Sequence, residues 1–173
     1  MKELSDIITF LGQRLEANLI KLEDISKLEY NWNGYNAKPI PKEIIEKVKE
    51  VIIKLGNDKQ PEIFPTGRET IQIEFEYTKR RIYYELEGDL HIPKVEKVKE
   101  VYQEYEFLND KIQCLIINES LSKKDRVIYE GPISENDMYN EINKIFNKYH
   151  DYYKGQDIKM VIDINKPLYQ KKK

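Results

Sequence analysis

Ile71, Ile73, Phe75 and Tyr77 alternate with Gln72, Glu74 and Glu76, and a period of two describes a β-strand with one face buried and the other wet. The alternation resumes after Thr78-Lys79-Arg80 with Ile82, Tyr84 and Leu86. Two such runs predict an antiparallel hairpin joined by that polar connection. Its apolar face must be covered by another layer, which makes the rest of the chain a search for helices that can supply one.

Two segments qualify at once. Leu4, Ile8, Leu11, Leu15, Leu22 and Ile25 recur at four- and three-residue steps, with Asn18 in the missing place, so a helix with one apolar stripe is expected. The same spacing could serve a coiled-coil seam with Asn18 as its polar register residue, which leaves a homodimer through the N-terminal helix open beside packing within the domain. Ile44, Ile45, Val48, Val51, Ile52 and Leu55 predict a second helix over 42–55, and Gly56-Asn57 supplies its stop. Between 94 and 110 the signals divide. Val95, Val98, Val101 and Tyr105 suit a helix, whereas Tyr102 to Phe107 suit extended chain, and the helix is taken. Ile112 to Ile117 and Arg126 to Tyr129 predict further strands. Ser134 with Asp137 caps a helix whose Met138, Ile142, Ile145, Phe146 and Tyr149 share a face, and Ile158 to Ile164 predict a last strand.

These elements define an α+β fold: residues 1–168 as a single domain, with an antiparallel sheet of four to six strands and helices packed on one face, and residues 169–173 as a basic C-terminal tail. With 40% hydrophobic and 35% charged residues the chain is too apolar for disorder and too polar for a membrane protein. Its apolar runs fall far short of the roughly 20 residues that span a bilayer, and the acidic start does not suit a secretory signal. The single Cys114 precludes an intramolecular disulfide. A cytoplasmic location is therefore expected. The 29 basic and 31 acidic side chains leave a net charge of -2, without the field that would draw a polyanion, so nucleic acid is not the expected partner.

Asn31-Trp32-Asn33-Gly34-Tyr35-Asn36-Ala37-Lys38-Pro39-Ile40, then Pro61-Glu62-Ile63-Phe64-Pro65-Thr66-Gly67-Arg68 and the strand Ile71 to Glu76, carry a resemblance. Together they resemble an uncharacterised family of small bacterial proteins, with a Trp-Asp/Asn-Gly-Tyr turn, a helix, and a Pro-rich loop entering a Gln-x-x-Glu-aromatic strand. The resemblance covers residues 25–90, and Asn33 stands where the family often has Asp. It implies a bacterial or mobile-element origin, with toxin-antitoxin or phage-conflict systems as the setting, and carries no chemistry to transfer.

The candidate binding residues are Trp32, Asn33, Tyr35 and Arg68. Asn33-Gly34 tolerates the positive φ of a tight turn between two large aromatic faces. Trp32 is read first as a buried plug of that turn and second as a stacking surface. Arg68 follows a glycine and could hold a carboxylate, with an internal salt bridge as its plainer fate. Glu74, Glu76, Glu85 and Glu87 could share one hairpin face as an acidic patch, the basis of an alternative hydrolase reading, although such alternation is also what solvent exposure produces. Cys114 with His91 or His150 could imitate a thiol nucleophile and its base, but an apolar strand would bury that thiol. No catalytic residue, metal ligand or cofactor is assigned, since phosphate-cradling glycine motifs and a zinc set are both missing from the sequence. The expected function is a noncatalytic module that binds another protein. Nucleic-acid binding through Lys79, Arg80 and Arg81 ranks third.

Overall fold

The computed structural model describes residues 2–152, with side chains described except at 2–13, 79–82, 97–98 and 149–152. The predicted strand at 158–164, the basic tail, and the stripe residues Leu4, Ile8 and Leu11 as side chains therefore lie outside the described residues. Three helices, α1 (Lys2–Ser26), α2 (Lys42–Leu55) and α3 (Glu135–Tyr152), accompany five strands: β1 (Glu62–Pro65), β2 (Ile71–Glu87), β3 (Leu90–Phe107), β4 (Ile112–Asn118) and β5 (Val127–Ile133). The strands lie in the order β1-β2-β3-β4-β5, each antiparallel to its sequence neighbour. The fold is the expected single α+β domain.

Alternation dictates which face is covered. Ile63, Ile71, Ile73, Phe75, Val101, Tyr105, Phe107, Ile112, Cys114 and Ile116 line one side of the sheet, and onto it pack Leu22 and Ile25 of α1, the whole apolar stripe of α2, and Met138, Tyr139 and Ile142 of α3. The α2 stripe is the best sealed, with Val48, Val51 and Ile52 wholly inaccessible. Pro41 precedes α2, where its fixed φ suits a helix start, and Gly56 at φ 78° ends it. Ser134 Oγ accepts from the Asp137 N–H at 3.1 Å and so caps α3. Asn18, whose polar character invited a coiled-coil reading, donates from Nδ2 to Gln60 Oε1 at 2.9 Å and to the Pro61 carbonyl at 3.0 Å. Its amide is thus occupied within the domain.

Two expectations are corrected. Residues 78–80 are not a connection: β2 runs unbroken from Ile71 to Glu87, and the chain reverses at Gly88-Asp89, where Gly88 takes φ 62° and Glu87 pairs with Leu90. Residues 94–107 are not a helix but belong to β3. Tyr77 pairs with Val101 and Thr78 with Lys99, so Glu100 is an extra residue, a β-bulge. The result is a hairpin much longer than the sheet it belongs to. Only Ile71–Glu74 of β2 pair with β1 and only Val101–Phe107 of β3 pair with β4. Residues 78–99 form a two-stranded arm about 30 Å long at roughly 3.3 Å per residue.

Two measurements check this packing. Ile52→Ala should lower unfolding free energy by about 2 to 5 kcal/mol in denaturant melts, because the site is sealed on all sides. Lys47 Nζ donates to Glu135 Oε2, joining α2 to the first turn of α3, and this bond, against a smaller opposing effect of burial, holds the Glu135 carboxyl below the ordinary range. Because the folded-state value is depressed, the contribution is present above the ordinary glutamate pKa and lost as pH falls through the lower folded-state value. Lys47→Met should flatten that part of the acid stability curve while costing no more than about 1 kcal/mol at neutral pH, since the pair is partly exposed.

Candidate functional site

The segment between α1 and α2 is a loop held by its own backbone. Asn31 and Asn36 adopt φ 65° and 61°, and Gly34 adopts φ 77°, a left-handed conformation that asparagine and glycine tolerate best. The Asn31 N–H donates to the Ala37 carbonyl at 2.7 Å, and Asn31 Oδ1 accepts from the Asn36 N–H at 2.8 Å. Asn33 Oδ1 accepts from the N–H groups of Tyr35 at 2.9 Å and Ala37 at 3.2 Å. Trp32 Nε1 donates to the Lys38 carbonyl at 3.1 Å. Trp32 is half-buried, so it braces the loop through that bond and is not the fully buried plug first expected. Tyr35 stands at the tip, 86% exposed.

A second loop, 66–70, reaches the first. A Cβ placed on Gly67 would come within 3.1 Å of Asn33 Nδ2, so the glycine allows the two loops to touch. Thr66 and Thr70 close this loop through a 2.9 Å backbone bond and a 2.6 Å contact between their hydroxyls. Arg68 donates from Nε and Nη2 to Glu106 Oε1 at 3.1 and 2.9 Å, and Thr70 donates to the same oxygen at 2.6 Å. The internal salt bridge considered for Arg68 is therefore present, with the guanidinium two-thirds exposed and the carboxylate mostly covered. Asn33 and Arg68 thus belong to adjoining loops, Tyr35 rises from one of them, and Trp32 is bonded within that same loop. Glu106 is the participant that sequence reading missed, since nothing in residues 94–107 read as helix placed it beside Thr70.

The acidic patch divides. Glu74 and Glu76 lie on the outer sheet face, while Glu85 and Glu87 lie on the arm, with Glu76 and Glu85 about 30 Å apart along the strand. On the sheet, the neighbours of Glu74 and Glu76 are Glu62, Glu104 and Tyr102. Glu104 accepts from Gln72 at 2.9 Å and Tyr102 at 2.7 Å, and Glu76 pairs with Lys99 at 3.5 Å. Burial, followed by hydrogen bonding to Glu104 and Glu74, raises the Tyr102 hydroxyl well above its ordinary pKa, so it remains a donor to these carboxylates. Glu62, Glu74 and Glu76 also border a cleft of about 370 Å³ with Arg14 and Lys59, but Arg14 is bonded to the Gln60 carbonyl and Lys59 to Asn143. Among the described residues no group of three or more His, Cys, Asp or Glu could hold a metal ion.

Cys114 is buried beneath the helices, and burial, then the charge of Glu141, pushes its thiol up to about 11. His91 sits near the arm tip, roughly 45 Å along β3 from Tyr105, the register partner of Cys114. The side chain of His150 lies outside the described residues. A thiol-imidazole pair with His91 is therefore not formed. No helix among the described residues is long and apolar enough to cross a membrane.

In comparisons with known proteins the chain matches no family model, no curated protein and no solved structure. The site must consequently be judged on its own geometry. Trp32→Ala should cost about 1 to 3 kcal/mol in a denaturant melt, less than a fully buried indole, because only part of the ring is covered.

Proposed function

We propose that this chain is a noncatalytic module that binds another protein, and that its recognition surface is the pair of loops at 31–37 and 66–70. The observation that carries this reading is the combination of a highly exposed Tyr35 with a loop whose backbone is already fixed by its asparagines. Exposed aromatic rings on an ordered loop lose little conformational entropy on binding, and tyrosine and arginine are the side chains that most often dominate interface energy. Arg68 follows Gly67, which meets Asn33 of the first loop, with most of its guanidinium accessible and its orientation set by Glu106. The resemblance of residues 25–90 points to a bacterial toxin-antitoxin or phage-conflict setting for that partner. The hydrolase reading rests on the cleft bordered by Glu62, Glu74 and Glu76. It ranks second because Glu76 and both cations there already engage the protein's own groups.

Affinity capture from the native host with wild-type chain, followed by titration of the captured protein, tests the choice. Tyr35→Ala and Arg68→Ala should each weaken that complex by about 1 to 3 kcal/mol, or about 5- to 150-fold, with melting behaviour near wild type for Tyr35→Ala. Glu74→Gln should leave it unchanged. Undiminished capture by both loop variants would end the proposal, and loss of the host phenotype in Glu74→Gln alone would favour the hydrolase.

A further inference from the structure

The loop at 66–70 carries one residue that its own geometry does not call for. The Thr66 N–H donates to the Thr70 carbonyl at 2.9 Å, so residues 67–69 alone turn β1 back into β2. Three-residue reversals of this kind commonly set their third residue in the left-handed conformation and fill it with glycine, which has no Cβ to clash there. Glu69 occupies that position, at φ 61°. The other non-glycine residues at positive φ among the described residues are Asn31 and Asn36, and asparagine suits that conformation far better than glutamate does. The glycine of this loop stands two residues earlier. Gly67 does not take a positive φ, and its small size serves the contact with Asn33, whose Nδ2 lies 3.1 Å from where a Cβ would be.

Nothing inside the domain offsets this strain. Thr66 and Thr70 share their hydroxyls, and Arg68 and Thr70 both bond to Glu106. Among the described residues the Glu69 carboxylate makes no hydrogen bond or ion pair, although Arg68 adjoins it in sequence, because that guanidinium is turned to Glu106 through Nε and Nη2. An acid wanted only for hydration could stand at any exposed position without a left-handed backbone, and strain of this kind persists where the placement of a group serves a function. Resting on the two-loop binding surface proposed above, we infer that Glu69 is a further recognition residue and that the partner protein meets it with a lysine or arginine side chain. Such a cation forms the charge-assisted hydrogen bond that the domain itself does not supply. Arg68 and Glu69 then present opposite charges next to one another, so the partner must offer an acceptor to the first and a donor to the second. Surfaces that carry a single sign are rejected.

Two variants of the full chain separate backbone from charge. Glu69→Gly removes the strain together with the side chain and should raise the melting temperature by about 2 to 4 °C. Glu69→Gln keeps the strain and the side-chain length without the charge, and should melt with wild type. Titrated against the protein that the wild-type chain captures, both variants should bind at least about fivefold more weakly. Raising salt from about 50 to 300 mM should weaken the wild-type complex more than the Glu69→Gln complex. A Glu69→Gly chain that melts no higher than wild type overturns the inference, as does wild-type affinity in either variant or an equal response to salt. Should Tyr35→Ala and Arg68→Ala weaken the complex while Glu69→Gln does not, the two-loop surface stands without Glu69. Should none of these variants weaken it, or should the wild-type chain capture no protein, both readings fall together.

Discussion

The side-chain amide of Gln60 is the joint at which the helices meet the sheet. Its Nε2 donates to the carbonyls of Ile52 at 2.8 Å and Gly56 at 2.6 Å, satisfying the end of α2, while its Oε1 accepts from Asn18 of α1. The residue is almost wholly buried, and a buried amide left without partners would cost about 1 to 3 kcal/mol. Because β1 begins two residues later, the position of this one amide sets where the sheet edge lies relative to both helices. Gly56 with its positive φ belongs to the same joint, since it turns the chain so that Gln60 can reach back to the helix it has just left.

From that joint the two faces of the sheet acquire different characters. The covered face is apolar and closed by three helices, leaving Cys114 and Tyr105 no access to solvent. The open face collects carboxylates, yet the sheet supplies each of several with a donor: Gln72 and Tyr102 for Glu104, Arg68 and Thr70 for Glu106, Lys99 for Glu76. Carboxylates so engaged act as structural acceptors. The Arg68–Glu106 pair does more, since it ties the 66–70 loop to β3 and thereby fixes the height at which that loop touches Asn33.

Where the sequence was legible, a single periodicity ran long enough to be unambiguous. The stripe of α2, the described part of the α1 stripe at Leu22 and Ile25, the alternation of 71–77 and the Ser134 cap all formed as expected. The failure at 94–107 has a specific physical source. Val95 and Val98 stand three residues apart in sequence, and the extra residue Glu100 lets Val101 continue that spacing across the bulge, so the three imitate a helix stripe. The misplaced turn has another: Thr78, Lys79 and Arg80 are polar without being turn-formers, whereas the signal that bends the chain was Gly88-Asp89. For the candidate site, the turn chemistry of Asn33-Gly34 was readable, but the touching of the two loops was not, because a glycine records where a backbone may approach and not what approaches it.

The bulge at Glu100 also divides one hairpin into two mechanical regimes. On its sheet side, β3 is flanked by strands on both edges and backed by helices, and the Glu100 carbonyl itself accepts from the Glu119 N–H at 2.8 Å. On its far side, among the described residues, the same strand has only β2 beside it. Amide exchange along β3 is thereby expected to change regime at this residue, with arm amides opening by local fraying and sheet amides only with the whole domain. A single inserted residue thus acts as a firebreak, so that loss of the arm's order need not spread into the core.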